Sequence, residues 1–159
     1  MEKKILSLSA EGKIVVKSAD GREQAVYPSP VVFQRGRAVV YLLIDTSSSM
    51  CGEKIEQVKA GALDFAGTAV RKGYLVGVVA FNNAACLICE PARDVSSITG
   101  KIKELMVGGG TNLTDALRVA SEKLLKKPGY RAAVVATDGC PNDPNSALEI
   151  AGKMKKDKI

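Results

Sequence analysis

The chain has 159 residues, 46% hydrophobic and 25% charged, a balance that supplies the apolar surface for one folded domain and excludes a disordered tail. It contains no histidine, which excludes Ser-His-Asp and Cys-His catalysis, an HExxH zinc site and any imidazole base together. The net charge of +6 is carried largely by "EKLLKKPGYR" and "GKMKKDKI", where lysines occupy an outward helix face or a last turn, and aromatics at 4% are too sparse to interleave with them as a nucleic-acid surface requires.

The N-terminus "MEKKILSLSA" has the basic start of a signal peptide, but its apolar stretch is short and broken by Ser7 and Ser9. The expectation is a cytoplasmic protein without a membrane span. Four cysteines fit that compartment, because a chain of this size does not need disulfides. Residues 1–36 predict an N-terminal β extension of two or three strands, with turns at 10–12 and 19–21 and a Pro-containing connector. The main domain is then 37–159.

In that domain "RAVVYLLI" (37–44) is a continuous apolar run, the pattern of a strand buried on both faces. Ile55, Val58, Ala62, Phe65, Ala66 and Ala69 follow at helical spacing. "YLVGVVAF" (74–81) predicts a second buried strand, and "ACLICE" (85–90) an antiparallel edge strand reached across "NNA". Ile98, Ile102, Leu105 and Met106 predict a helix capped by Ser96 or Ser97; Leu117, Ala120 and Leu124 predict another opened by Thr114 with Asp115. "RAAVVAT" (131–137) is a third buried strand. Asp143 caps a last helix, with Pro144 in its first turn and Leu148, Ala151 and Met154 as its buried stripe. Strands alternating with helices give an α/β class, a Rossmann-like doubly wound, mainly parallel sheet with one antiparallel edge strand.

Ligands of open α/β sheets bind beyond the carboxyl ends of the strands. Three polar loops converge on that edge: "DTSSS" after the first buried strand, "GGGTNLTDAL" before a helix, and "TDG" after the third strand. They offer Asp45, Ser47, Ser49, Thr111 and Asp138, an all-oxygen set with two carboxylates. Such a shell suits a hard cation, Mg2+ before Mn2+ or Ca2+. Asp45, Ser47 and Ser49 are two apart, so a tight turn aims them at one point while Thr46 and Ser48 face elsewhere. Gly108, Gly109 and Gly110 let the backbone bend beside the site.

DxSxS at Asp45 to Ser49, Gly110-Thr111 opening a helix, and Thr137-Asp138-Gly139 together resemble the metal-ion-dependent adhesion site of von Willebrand factor A domains, over roughly 37–159. The resemblance implies Ser47 and Ser49 as direct ligands, Thr111 as a ligand that joins or leaves with the liganded state, and Asp45 and Asp138 acting directly or through waters. It implies a partner whose Asp or Glu takes the open position on the metal, with Met50, Gly109, Gly110, Asn112 and Gly139 on the contact rim. The family also suggests an AAA+ ATPase or chelatase-type assembly. Relative to its relatives the chain is short at the C-terminus, which leaves "RAAVVAT" at an open sheet edge that the N-terminal strands or a second molecule would cover.

The alternatives are a metal-dependent phosphohydrolase using Asp45 or Asp138 and a metal-free structural scaffold. DxS in place of DxD, and no histidine or second metal cluster, weigh against the hydrolase. Cys86 and Cys89 have CxxC spacing, but residues three apart on a regular strand point to opposite faces, so sharing a metal would need a kink. Cys51 and Cys140 each follow a residue of the site, as two separate thiols or a pair on its rim.

Overall fold

A computed structural model describes residues 4–8, 14–17, 23–26, 38–139 and 141–159. The first three segments are strands β1 (Lys4–Leu8), β2 (Ile14–Lys17) and β3 (Glu23–Val26), paired in sequence order as an antiparallel meander. They belong to a unit spanning Met1–Phe33, distinct from Gln34–Ile159. The expected turns at 10–12 and 19–21, the Pro-containing connector and Cys140 lie outside the described residues.

The second unit is organised by β4 (Ala38–Asp45), in which every residue is buried. A strand with no exposed face needs neighbours on both edges and helices on both sides. It pairs in parallel with β5 (Leu75–Phe81) on one edge and with the strand Tyr130–Ala136 on the other. The strand Ala85–Ala92, β6, adds antiparallel to β5, and Tyr130–Ala136 is β7, so the order is β6-β5-β4-β7. The two faces of β4 divide the helices. Val40, Leu42 and Ile44 pack with Ala62 and Ala66 of α1 (Glu53–Arg71) and Ile98 and Ile102 of α2 (Val95–Lys103). Val39, Tyr41 and Leu43 pack with Ala116, Ala120 and Leu124 of α3 (Leu113–Leu125) and Ala147 and Met154 of α4 (Pro144–Lys156). This is the expected doubly wound sheet, but β7, expected to be buried, lies at its edge with Val134 and Val135 exposed. No helix among the described residues is long and apolar enough to cross a membrane.

Several local expectations are corrected. The α2 cap is Asp94, whose carboxylate accepts from the backbone N–H of Ser96 and Ser97; a longer-reaching acceptor one turn earlier displaces the serines. The α3 cap is Asn112, accepting from Asp115 N at 3.1 Å. Because α2 stops at Lys103, Met106 leaves the helical stripe and is 85% exposed. In α4 the Asp143 cap and Pro144 stand as expected, but the buried face is Ala147 and Met154, while Leu148 is exposed. The small Ala147 fits the side packed against α3; the bulkier Leu148 is turned out.

On β6 the register slips by one residue: Cys89 pairs with Val78, Leu87 with Val79 and Cys86 with Ala80. This bulge sets Cys86 and Cys89 opposite same-face positions of β5, overturning the simple alternation expected of the CxxC pair. Cys86 is exposed, while Cys89 is half-buried and burial raises its thiol pKa. On the other face, buried Tyr41 donates its hydroxyl to Glu90 Oε2 at 3.0 Å, and Lys123 pairs with the same carboxylate. Burial first, then Glu90, raises the phenol pKa, and the Lys123 contact is the main cause holding Glu90 below the usual carboxylate range.

The Tyr41 ring reaches Glu90 across Gly77, where a Cβ would lie 2.4 Å from ring carbon Cε1. We expect Gly77→Ala to lower unfolding free energy by about 1–3 kcal/mol through overpacking. In a Tyr41→Leu background the cost should shrink, because the colliding ring is gone. Urea denaturation of the four proteins measures this coupling, and an unchanged cost would contradict the steric account.

Candidate metal centre

The site begins where β4 ends. Ile44 pairs with Ala136, so the next residues, Asp45 and Thr137, leave adjacent parallel strands at the same edge. Asp45 is completely buried. Its Oδ1 accepts from Ser47 N at 2.8 Å and its Oδ2 from Thr137 Oγ1 at 2.6 Å. The first bond folds the chain back into a 3-10 turn, Ser48–Met50. That turn brings Ser47 Oγ within 2.9 Å of Ser49 Oγ, and Ser49 Oγ donates to Asp138 Oδ1 at 3.0 Å. Thr46 turns the other way, donating Oγ1 to the Phe81 carbonyl at 3.1 Å, and Ser48 is exposed. The alternation expected of the hydroxyl turn is therefore present.

The glycine loop is stitched to this turn by Gly108 N to Thr46 O at 2.8 Å and Ser48 N to Gly109 O at 3.0 Å. Asn83 holds its outer side, accepting from Gly110 N at 2.7 Å through Oδ1 and from Asn112 Nδ2 at 3.0 Å through its carbonyl. Gly109 has φ +80° and a Cβ there would lie 2.8 Å from Asn83 Nδ2, so both backbone conformation and space demand glycine. Thr111 is nearly buried and clasped by Asn142: Thr111 N donates to Asn142 Oδ1 at 3.2 Å and Asn142 N to the Thr111 carbonyl at 2.9 Å.

Four of the five expected ligand residues, Asp45, Ser47, Ser49 and Asp138, thus form one hydrogen-bonded chain; Thr111 is fixed on the adjoining loop. Gly109 and Gly139 are exposed, and Gly139 lies beside Ser49, with its Cβ position 3.9 Å from Oγ. Met50 is not on the rim: it is wholly buried beneath the turn, where a thioether side chain fills the core. The Asn112 amide is engaged in capping α3 and in holding Asn83. Sequence reasoning missed Asn83, Asn142 and Lys54. Asn-rich "NNA" and "PNDPN" were the available signals for the first two. Lys54 Nζ lies 2.5 Å from Asp138 Oδ2 and is the leading reason the Asp138 carboxyl titrates below its usual range.

Among the described residues no group of three or more His, Cys, Asp or Glu comes together. The metal-binding chemistry offered here is therefore the hydroxyl–carboxylate set. Its spacing fits a small octahedral cation. Neighbouring ligands bonded at 2.0–2.1 Å and at right angles are about 2.9 Å apart, and the serine and Ser49–Asp138 oxygen separations are 2.9 and 3.0 Å. Hydrogen bonds and such coordination share this distance, so the spacing would accommodate a cation with little rearrangement. The longer bonds of Ca2+ need wider spacing.

Asp45 is buried and bonded to two loops, so it anchors the fold as well as the site. Asp45→Ala strands the Ser47 N–H and the Thr137 hydroxyl, and we expect it to cost about 1–3 kcal/mol of stability in urea denaturation. A variant as stable as the wild type would contradict the anchoring role.

The fold is similar to those of BatB from Bacteroides thetaiotaomicron (22% identity, TM-score 0.68, 77% of this chain and 63% of that one) and manganese-loaded TRAP protein from Plasmodium vivax (22%, 0.64, 77% and 54%). It is also similar to the vWF domain of the type V pili tip protein from Porphyromonas gingivalis (20%, 0.62, 65% and 38%). The chain spans less than two thirds of the length of each of these three. The family model of the von Willebrand factor type A domain matches residues 40–140, from the central strand through all three polar loops. The chain therefore belongs to the von Willebrand factor type A domain family.

Proposed function

We propose that this domain is a non-enzymatic protein-binding module that holds Mg2+, with Mn2+ or Ca2+ as alternatives, and uses it to recognise an Asp or Glu of a partner. The observation that carries this reading is the run of oxygens Ser47 Oγ, Ser49 Oγ and Asp138 Oδ1 at octahedral-ligand spacing. Ser47, Ser49 and Asp138 would hold the ion, with Thr111 poised on its loop. Asp45 acts from behind, since it is completely buried and its oxygens are held by Ser47 N and Thr137 Oγ1 beneath the turn. The bound ion supplies an electrophilic centre, incompletely neutralised, that attracts an incoming carboxylate. The manganese carried by the similar TRAP protein supports the choice of a divalent ion. Exposed Gly109 and Gly139 leave the approach open to a side chain.

The same burial of Asp45 disfavours the hydrolase alternative in its Asp45 form, because a nucleophile must reach its substrate; the Asp138 form is tested by phosphoester turnover. An AAA+ ATPase or chelatase-type assembly in a cytoplasmic setting is the partner class to test first, by pull-down with and without Mg2+.

Calorimetric titration with an Asp-containing peptide and its Asn counterpart tests the proposal. We expect the acidic peptide to bind only with Mg2+ present and the Asn peptide not to bind. Metal-independent binding of the acidic peptide, or turnover of a phosphoester, would contradict it. Thr111→Ala should weaken peptide binding more than Mg2+ binding if Thr111 engages the ion only in the partner-bound state; equal losses would rule that out.

A further inference from the structure

Lys54 stands where helix electrostatics disfavour it. It is the second residue of α1, whose N-cap Gly52 contributes no side-chain bond, so its ammonium adds positive charge to the positive end of the helix dipole. Glu53 and Glu56 of the same turn suit the dipole, but the carboxylate that Lys54 itself meets lies 84 residues away, Asp138 Oδ2 at 2.5 Å. The Asp138 side chain is 19% exposed and that of Lys54 57%. Both Asp138 oxygens are thereby engaged, Oδ1 by the Ser49 hydroxyl and Oδ2 by Lys54.

We propose that Lys54 is an intramolecular competitor for the metal site: a tethered cation that occupies Asp138 until the ion displaces it and so sets the metal concentration at which the site fills. This rests on the metal-binding reading above and goes beyond it. A divalent ion on Ser47, Ser49 and Asp138 places a second cation against the same carboxylate, within a few ångströms of the ammonium, where like charges repel strongly. Lys54 must therefore leave Asp138 as the ion enters. Lys54 borders a groove of about 540 Å³ also lined by Ile44, Met50, Val58, Val134 and Ala136, which offers its side chain room to move. The methylenes can stay against apolar surface while the ammonium turns to water. Metal affinity is thus held below what the oxygen set alone would give.

Magnesium titration calorimetry on the full chain tests this with Lys54→Met, which keeps the apolar stem, Lys54→Arg, which keeps the charge, and Lys72→Met. Lys72 is at the opposite end of α1, about 27 Å along the helix. We expect Lys54→Met to bind Mg2+ roughly three- to tenfold more tightly than wild type. Lys54→Arg should remain near wild type, and Lys72→Met should change by less than about twofold, because charges that distant are screened. Affinity in Lys54→Met equal to or weaker than wild type, or a gain matched by Lys72→Met, would overturn the competitor role while leaving the metal site standing. Absence of Mg2+ binding in wild type and every variant would overturn both.

Discussion

A carboxylate closed off from water at the end of the central strand is the constraint on which this site depends. Asp45 has nowhere to expose its charge, so its oxygens must be met by donors, and the two it recruits lie on different loops. Accepting from Ser47 N folds the hydroxyl turn; accepting from Thr137 ties that turn to the loop after β7. A buried charge without such partners would be strongly unfavourable, so the loop geometry and the burial require each other. The serines converge because Asp45 is satisfied in this way.

Parallel pairing supplies the rest of the placement. With β5 and β7 both running alongside β4, the loops that leave their carboxyl ends emerge at the same edge. The glycine loop before α3 is then brought in by backbone bonds to Thr46 and Ser48 and braced by Asn83 and Asn142. A rigid sheet positions one side of the site, while side-chain amides position the other. The Thr111 loop is thus held by side-chain amides and backbone bonds, whereas the serine turn follows directly from the central strand.

The sheet was legible because continuous Val- and Leu-rich runs favour burial on two faces, as β4 and β5 show, although the β7 run sits at the edge with Val134 and Val135 exposed. The hydroxyl turn was legible because five hydroxyl and carboxylate residues in succession exceed what capping needs. Other features depend on contacts that no local pattern encodes. Asn83 reaches Gly110 across 27 positions and Asn142 reaches Thr111 across 31. The β6 bulge, which turns Cys86 and Cys89 toward one face, is set by pairing with β5 rather than by "ACLICE" itself. In α4 Met154 is buried as expected, but Leu148 and Ala151 are exposed, because Ala147 and Leu148 are both apolar and only close packing against α3 selects the smaller. Met50 read as rim from its position after the serines, yet the 3-10 turn rolls it under the site. Lys54 was missed because its counterion, Asp138, lies 84 positions away and comes beside it only once β7 is placed.

Anomalous diffraction from crystals soaked in Mn2+ tests the central claim most directly, since it locates the ion without reference to any partner. The expected result is a single strong peak within coordination distance of Ser47 Oγ, Ser49 Oγ and an Asp138 oxygen, with Asp45 still accepting from Ser47 N and Thr137 and with Lys54 moved off Asp138. A site without a peak at saturating Mn2+, or an ion held elsewhere while the serine–Asp138 hydrogen bonds persist, would contradict it.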